Sequence, residues 1–315
     1  GLLFWVFLMY WAIRTIPFGR WALMSIALIP AALYEASTIN ADAMTMAVAA
    51  FIIAKALSLR FRDKLISKHE IALLSGIVIT LGLLKPAYSI VALSLFLVVR
   101  SKRAIKEYIL PSMLVFIALA TSLLWTGIVK PFILDNTNTF RYGLHIDAGA
   151  QLATIISSPI HYMKAIFLFF LTNEGSKSTV EMVGSLGWSE YPLPVWLVLI
   201  SLAGLVVVAA YSSKGEREFV KDLAKIRVWL VLLFIGSVIA IATTMYLTWT
   251  PVGASHLDGV QGRYFLPLLP LIIPMLHSRL FELNGGERTL AKIAVGLNLL
   301  TLSATTILLI VHFWV

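Results

Sequence analysis

The sequence predicts an all-α, polytopic integral membrane protein with about ten transmembrane helices, the first of them partial. Three observations carry this. Of its 315 residues, 59% are hydrophobic and 13% charged, about half the ~25% charge of a soluble domain. Apolar runs recur along the whole chain without alternating; in lipid only helices or closed barrels satisfy the backbone, and barrel strands alternate. The mean hydropathy is +0.90 and there is no Cys, which excludes disorder and a disulfide-stapled secreted fold. No polar stretch is long enough to form a separate water-soluble catalytic domain.

A spanning helix needs roughly 20 apolar residues, fewer where flanking residues complete it. In order, the expected spans are Gly1–Ile13, Trp21–Tyr34, Ala43–Leu57, Ile71–Leu84, Tyr88–Val99, Tyr108–Ile128, Val195–Tyr211, Val228–Leu247, Tyr264–Met275 and Ile293–Phe313. The first opens at Gly1, without Met and already inside an apolar run, so it reads as a partial span whose upstream part is missing, not as a signal peptide.

Positive charge orients the set. The loops Arg14–Arg20, Ser58–Glu70, Arg100–Glu107, Ser212–Arg227 and His277–Lys292 hold 18 Lys or Arg, and the alternate loops hold 6. The richer loops are therefore expected inside and the C-terminus outside. The net charge of +9 becomes a topology signal, and nucleic acid is excluded as a partner. The bilayer itself is the first partner.

Parity constrains the middle of the chain. Lys130 is expected outside and Ser212 inside, so Val195–Tyr211 is the single crossing between them. The run Ala165–Leu171, with its helical lead-in Gln151–His161, is too short to cross and reads as interfacial or re-entrant. The chain is thus one transmembrane domain, 1–315, with a long extracytoplasmic or interfacial excursion over 130–194. Excursions of this length are uncommon unless functional. The larger loops lie outside, and so should any chemistry.

Three outer turns concentrate polar residues. The first, Tyr34 to Asp42, puts Glu35 and Asp42 at the outer ends of adjacent spans with Ser37 and Asn40 between. A carboxylate here suits a general base or a hydroxyl-binding group; equally, Ser37, Asn40 and Asp42 suit a helix cap ahead of Ala43. The second, Lys85-Pro86, is the tip of a tight hairpin, followed by Tyr88. Its cation suits a lipid phosphate or a snorkelling interface marker. The third runs from Trp249 to Tyr264. Arg263 can hold a phosphate bidentately, Gly259 and Gly262 allow close backbone approach to an anion, and Gln261 and Tyr264 flank it. Pro267, Pro270 and Pro274 must kink the span that follows, which in membranes marks a cavity wall.

His256 and Asp258, two apart in that loop, line the same region but make a weak metal pair, with solvated loop residues the plainer reading. No metal-ligand set is predicted, and the cofactor is left open, a divalent metal included. In the excursion, Asp135, His145, Asp147 and the run Gly184 to Pro194 stand out. Asp147 or Glu190 could reach an acceptor sugar, and Trp188 and Tyr191 suit interfacial anchoring. Walker, HExxH and GxSxG signatures and a Cys nucleophile are missing. Charges within spans are nearly absent, which counts against an ion-coupled transporter.

Four stretches together resemble a bacterial family of polytopic membrane proteins catalogued as domain of unknown function 2142. They are Pro30-Ala31-Ala32-Leu33-Tyr34 through Asn40-Ala41-Asp42-Ala43; Lys85-Pro86-Ala87-Tyr88; Gly184-Ser185-Leu186-Gly187-Trp188 ahead of Leu193-Pro194; and Gln261-Gly262-Arg263-Tyr264-Phe265-Leu266-Pro267, the most specific. The family in turn resembles the GT-C glycosyltransferases. The resemblance implies a bacterial inner-membrane enzyme that transfers a sugar from a polyprenyl-phosphate donor to an envelope glycan or lipid on the outer face. GT-C enzymes carry a catalytic acid in the first outer loop, and that loop is not among these residues. The acid lies upstream of Gly1 or is supplied by Asp42. Lys85 and Arg263 would hold the donor phosphate. Glu35, Asn40, Tyr88, Asp147, His256, Asp258, Gln261 and Tyr264 would line the substrate. A flippase or exporter of envelope lipid or glycan, and a structural subunit of an envelope-assembly complex, are the rival readings.

Overall fold

The computed structural model describes residues 1–100, 105–140, 145–187, 190–211, 217–278 and 286–314. The expected anchor Trp188 and the side chain of Asp135 lie outside the described residues.

The chain is helical almost throughout, and prolines and glycines punctuate it. α1 (Leu2–Thr15) packs along α4 (Ala41–Arg60). Gly19, with φ of 68°, turns the chain into α2 (Arg20–Ala27) and lies against Ile273, where a Cβ would approach to 2.4 Å. The expected span Trp21–Tyr34 is broken in its middle. Pro30 has no N–H and forces the preceding residue out of the helical region, so Ile29 sits at ψ 132° and a second helix, α3 (Pro30–Ser37), starts there. Asn40 caps α4, its side-chain oxygen accepting from the backbone N–H of Asp42 at 2.9 Å and of Ala43 at 3.4 Å. α4 is the central helix. Its Ala-rich surface lets neighbours approach closely, and it is buried along nearly its whole length.

α5 (Lys68–Leu84) starts at a reciprocal cap in which Ser67 and Glu70 satisfy each other's backbone N–H. Lys85 is extended, and Pro86–Val98 then continues as a 3₁₀ helix packed among α4, α11 (Arg217–Thr248) and α6 (Ile105–Phe140). Two helices, α7 (Ala148–Ser157) and α8 (Pro159–Leu171), meet at Pro159 with a bend of 106°. α9 (Asn173–Gly184) leads into a two-residue hairpin, β1 (Ser185–Leu186) pairing antiparallel with β2 (Tyr191–Pro192). α10 (Val195–Ala210) follows, and then α11. A second 3₁₀ stretch, Gly262–Leu268, runs into α12 (Leu269–Leu276), and α13 (Gly286–Trp314) closes the described chain.

Among the described residues, four helices are long and apolar enough to cross a membrane, covering Ala41–Arg60, Ile105–Val129, Phe219–Thr248 and Gly286–Trp314; the bent α7–α8 pair makes five if it is one span. The protein is a polytopic all-α membrane protein. The other expected spans are helical too, but each is shorter than a crossing: α1, α5 and α10, the pieces around Pro30, and both 3₁₀ stretches. The outer helices turn Phe116, Leu123, Leu124, Leu232, Leu299 and Ile307 outward, the inverse of a soluble surface and what a lipid environment permits.

A smaller core covers one end. Tyr162, Ile166 and Phe169 of α8 pack with Ala242 and Tyr246 of α11 and with Leu257 of the following loop. Gln151, fully buried, ties that loop down: it donates to Pro251 O at 3.3 Å and accepts from Gly253 N at 2.8 Å.

Candidate functional site

Two carboxylates and two cations from four separate segments meet at one end of α4. Glu35 comes from the last turn of α3 and Asp42 from the first turn of α4. Lys85 follows α5, and Arg263 opens the second 3₁₀ stretch. The local sequence dictates each placement. The Asn40 cap fixes the entry into α4, Pro86 forbids continuation of α5 past Lys85, and Gly262 lets the Arg263 backbone sit against α9. A Cβ on Gly262 would meet Ser178 O at 2.1 Å and Met182 N at 2.3 Å.

The charges pair across segments. Arg263 Nη1 donates to Glu35 Oε1 at 3.0 Å, and its Nε faces Asp42 Oδ2 at 3.7 Å. Lys85 Nζ donates to Asp42 Oδ1. Asp42 therefore bridges both cations, while Glu35, at 3% exposure, also accepts from the Asn40 amide. Tyr264 forms the floor. Lys85 Nζ stands 4.9 Å from its ring centre and the Arg263 guanidinium carbon 5.9 Å, within reach of cation–π attraction. The buried Tyr88 donates its hydroxyl to Tyr264 O at 2.7 Å and locks the two 3₁₀ stretches together. Glu181 of α9 accepts from Gly262 N at 3.2 Å.

The cluster is formally neutral and partly open. Lys85 is the most accessible member at 30%, against 22% for Arg263 and 13% for Asp42. Two cations facing one carboxylate, with only Lys85 hydrogen-bonded to it, are an arrangement an oxyanion can exchange into. The family model for a predicted membrane protein, DUF2142, matches residues 1–272. The chain belongs to the DUF2142 family. No curated protein and no solved structure matches it.

The family match covers every member of the cluster. Seven of the residues singled out in this DUF2142 sequence come together: Glu35, Asn40, Asp42, Lys85, Tyr88, Arg263 and Tyr264. Gln261 lies two positions before Arg263; its buried Oε1 has no hydrogen-bond partner among the described residues.

The remaining candidates are held by other contacts. Asp147 caps α7, accepting from Gly149 N at 2.8 Å and Ala150 N at 2.9 Å. His256 Nε2 lies 3.5 Å from Asp258 Oδ2, in the loop resting on α7 and α8, with His256 well exposed. Among the described residues no three His, Asp or Glu side chains gather in a way that could hold a metal ion. Glu181 and Gln151 were not visible as site or scaffold residues in the sequence. Glu181 has only an i,i+4 Lys177 as a local partner, and the loop that Gln151 anchors lies about a hundred residues away.

Proposed function

We propose that this DUF2142 protein is a GT-C-like integral membrane glycosyltransferase. It moves a sugar from a polyprenyl-phosphate donor to an envelope glycan or lipid on the outer face of a bacterial inner membrane. The frame is a single domain of about ten crossings with the C-terminus outward and residues 130–194 facing the acceptor compartment. A 3₁₀ helix rises ~2.0 Å per residue, so the 13 residues of Pro86–Val98 cover about 26 Å, close to the ~30 Å hydrocarbon core.

One observation carries the reading: Lys85 and Arg263, from opposite halves of the chain, converge on the single carboxylate of Asp42. A lipid-linked sugar phosphate brings one negative charge directly beside its anomeric carbon. That phosphate replaces Asp42 as the partner of Lys85, the more accessible cation, while Glu35 keeps Arg263 aimed through its 3.0 Å bond. The exchange frees Asp42, which accepts the proton of the acceptor hydroxyl. The hydroxyl oxygen forms its bond to the anomeric carbon in line as the bond from that carbon to the phosphate oxygen breaks. The electron pair leaves with the phosphate, whose growing charge Lys85 and Arg263 stabilise, and the anomeric configuration inverts.

The test is a transfer assay in detergent with a polyprenyl-phosphate sugar and an envelope acceptor fraction, the new glycosidic bond being read by mass. Asp42→Asn and Arg263→Ala are each expected to lose on the order of 100-fold or more in rate. Arg263→Lys keeps the charge but not the planar fork, so it separates folding from function. Near-normal transfer in the Arg263→Ala protein contradicts the assignment. Movement of lipid between leaflets of sealed vesicles with no bond formed would point to a carrier.

A further inference from the structure

A cleft of about 530 Å³ opens between the end of α3, the β1–β2 hairpin and the C-terminal end of α13, within the ~300–1,000 Å³ range of small-molecule sites. Tyr34, Glu190, Tyr191, Thr306, Phe313 and Trp314 line it. Its aromatic wall is fixed in place. The Tyr191 ring lies 4.5 Å from the His312 ring and 6.0 Å from Phe313, and its hydroxyl donates to Leu308 O at 3.2 Å.

We propose that this cleft is a subsite for a neutral saccharide, the acceptor glycan of the transferase reading, on which the assignment rests. A sugar ring offers apolar C–H faces that suit flat aromatic surfaces and hydroxyls that donate to a carboxylate, an acceptor-only group when ionised. Glu190 supplies that carboxylate beside Tyr191, and Thr306 a hydroxyl. The alternatives fit less well. A phosphate is repelled by Glu190, and an acyl chain would leave that carboxylate facing hydrocarbon. Position supports the pairing of roles: Tyr34 lines the cleft, and the next residue, Glu35, holds Arg263. The paired-charge cluster and the carboxylate-bearing aromatic cleft thus share α3, the cations of one suited to an anionic phosphate and the other to a neutral polyol.

The experiment is saturation-transfer NMR on the full-length protein in detergent, with cellobiose, maltose and chitobiose as probes. At least one is expected to receive magnetisation through its ring protons. Glu190→Gln and Phe313→Ala should each weaken that binding about tenfold or more. Phe313 is 67% exposed, so its loss leaves the core intact. Absence of any saccharide binding, or binding untouched by both cleft substitutions, overturns the proposal. The two readings fail separately: saccharide binding without any bound lipid phosphate removes the transferase reading and keeps the cleft. Lipid phosphate bound at the cations with an inert cleft does the reverse.

Discussion

Glu35 and Arg263 lie 228 positions apart in the chain and meet at 3.0 Å, with the Glu35 side chain almost wholly buried. The contact ties α3 to the 3₁₀ stretch that opens at Gly262, and both to the first turn of α4. Removing one member of such a pair leaves its partner unpaired where Glu35 is almost wholly buried and Arg263 largely covered. Arg263→Gln and Glu35→Gln should each cost about 2–3 kcal/mol, and the double Glu35→Gln/Arg263→Gln much less than the sum of the two. A double-mutant cycle on unfolding in detergent measures this; additive losses would mean the pair is not coupled.

Gly262 is predicted to be intolerant of any side chain. An added Cβ would run into the backbone of α9, not into a side chain that can swing away. Gly262→Ala should therefore cost about 2–3 kcal/mol through overpacking and loosen the placement of Arg263. Gly76 in α5 has open space at its Cβ and is the control: Gly76→Ala should be neutral or stabilising by about 0.5 kcal/mol. Equal effects from the two would remove the close-approach argument.

The opposite end of the bundle predicts an acid-side loss of stability in two stages, both from groups outside the spans. His277 is fully buried and its ring stacks on Phe18 at 4.6 Å. Burial lowers its pKa from 6.5 to about 4, with Arg227 adding to the effect. The unfolded chain then binds a proton that the folded protein refuses, so stability is full above pH 6.5 and falls towards pH 4, by about 3 kcal/mol in all. Melting temperature against pH should show this slope, and His277→Gln should flatten it. An unchanged slope in that variant would locate the titration elsewhere.

Glu70 provides the second stage. Its carboxylate accepts from Arg62 at 2.7 and 2.8 Å and from Lys55 at 2.7 Å. The Arg62 hydrogen bond, aided by Lys55 and the Ser67 backbone, holds its pKa well below the ordinary 4.5. This stability is complete above pH 4.5 and is lost as pH falls below it. Glu70→Ala removes the cap and both ion pairs, and should cost about 2 kcal/mol near neutral pH, measured as a shift in the unfolding midpoint.

Much of the architecture was legible because lipid enforces it. All ten apolar runs are helical, and the punctuation at Pro30, Lys85-Pro86 and Pro159 is written in residues that cannot continue a helix. Hydropathy did not distinguish an α-helix from a 3₁₀ helix, so the form of Pro86–Val98 was not visible. It also hid the lengths, since α10 and α5 stop short of a crossing. In the site, polar residues in the turns between apolar runs were recognisable one turn at a time, but their pairing was not. Asp42 reads as a cap, a base or a ligand until Lys85 and Arg263 are beside it. Asp147 shows the reverse case, a carboxylate singled out for chemistry whose lone pairs cap α7.

A lipid phosphate held by Lys85 and Arg263 should stay on the protein through gentle extraction, where native mass spectrometry reads it. Full-length protein released gently from its membrane is compared with the Lys85→Ala/Arg263→Ala variant, folding being checked by thermal melting. A polyprenyl phosphate or its glycosylated form is expected to co-purify with the wild type and to be absent from the variant, its mass identifying the sugar. Prenyl phosphate bound equally to both proteins, or to neither, would contradict a lipid-phosphate site at these two cations.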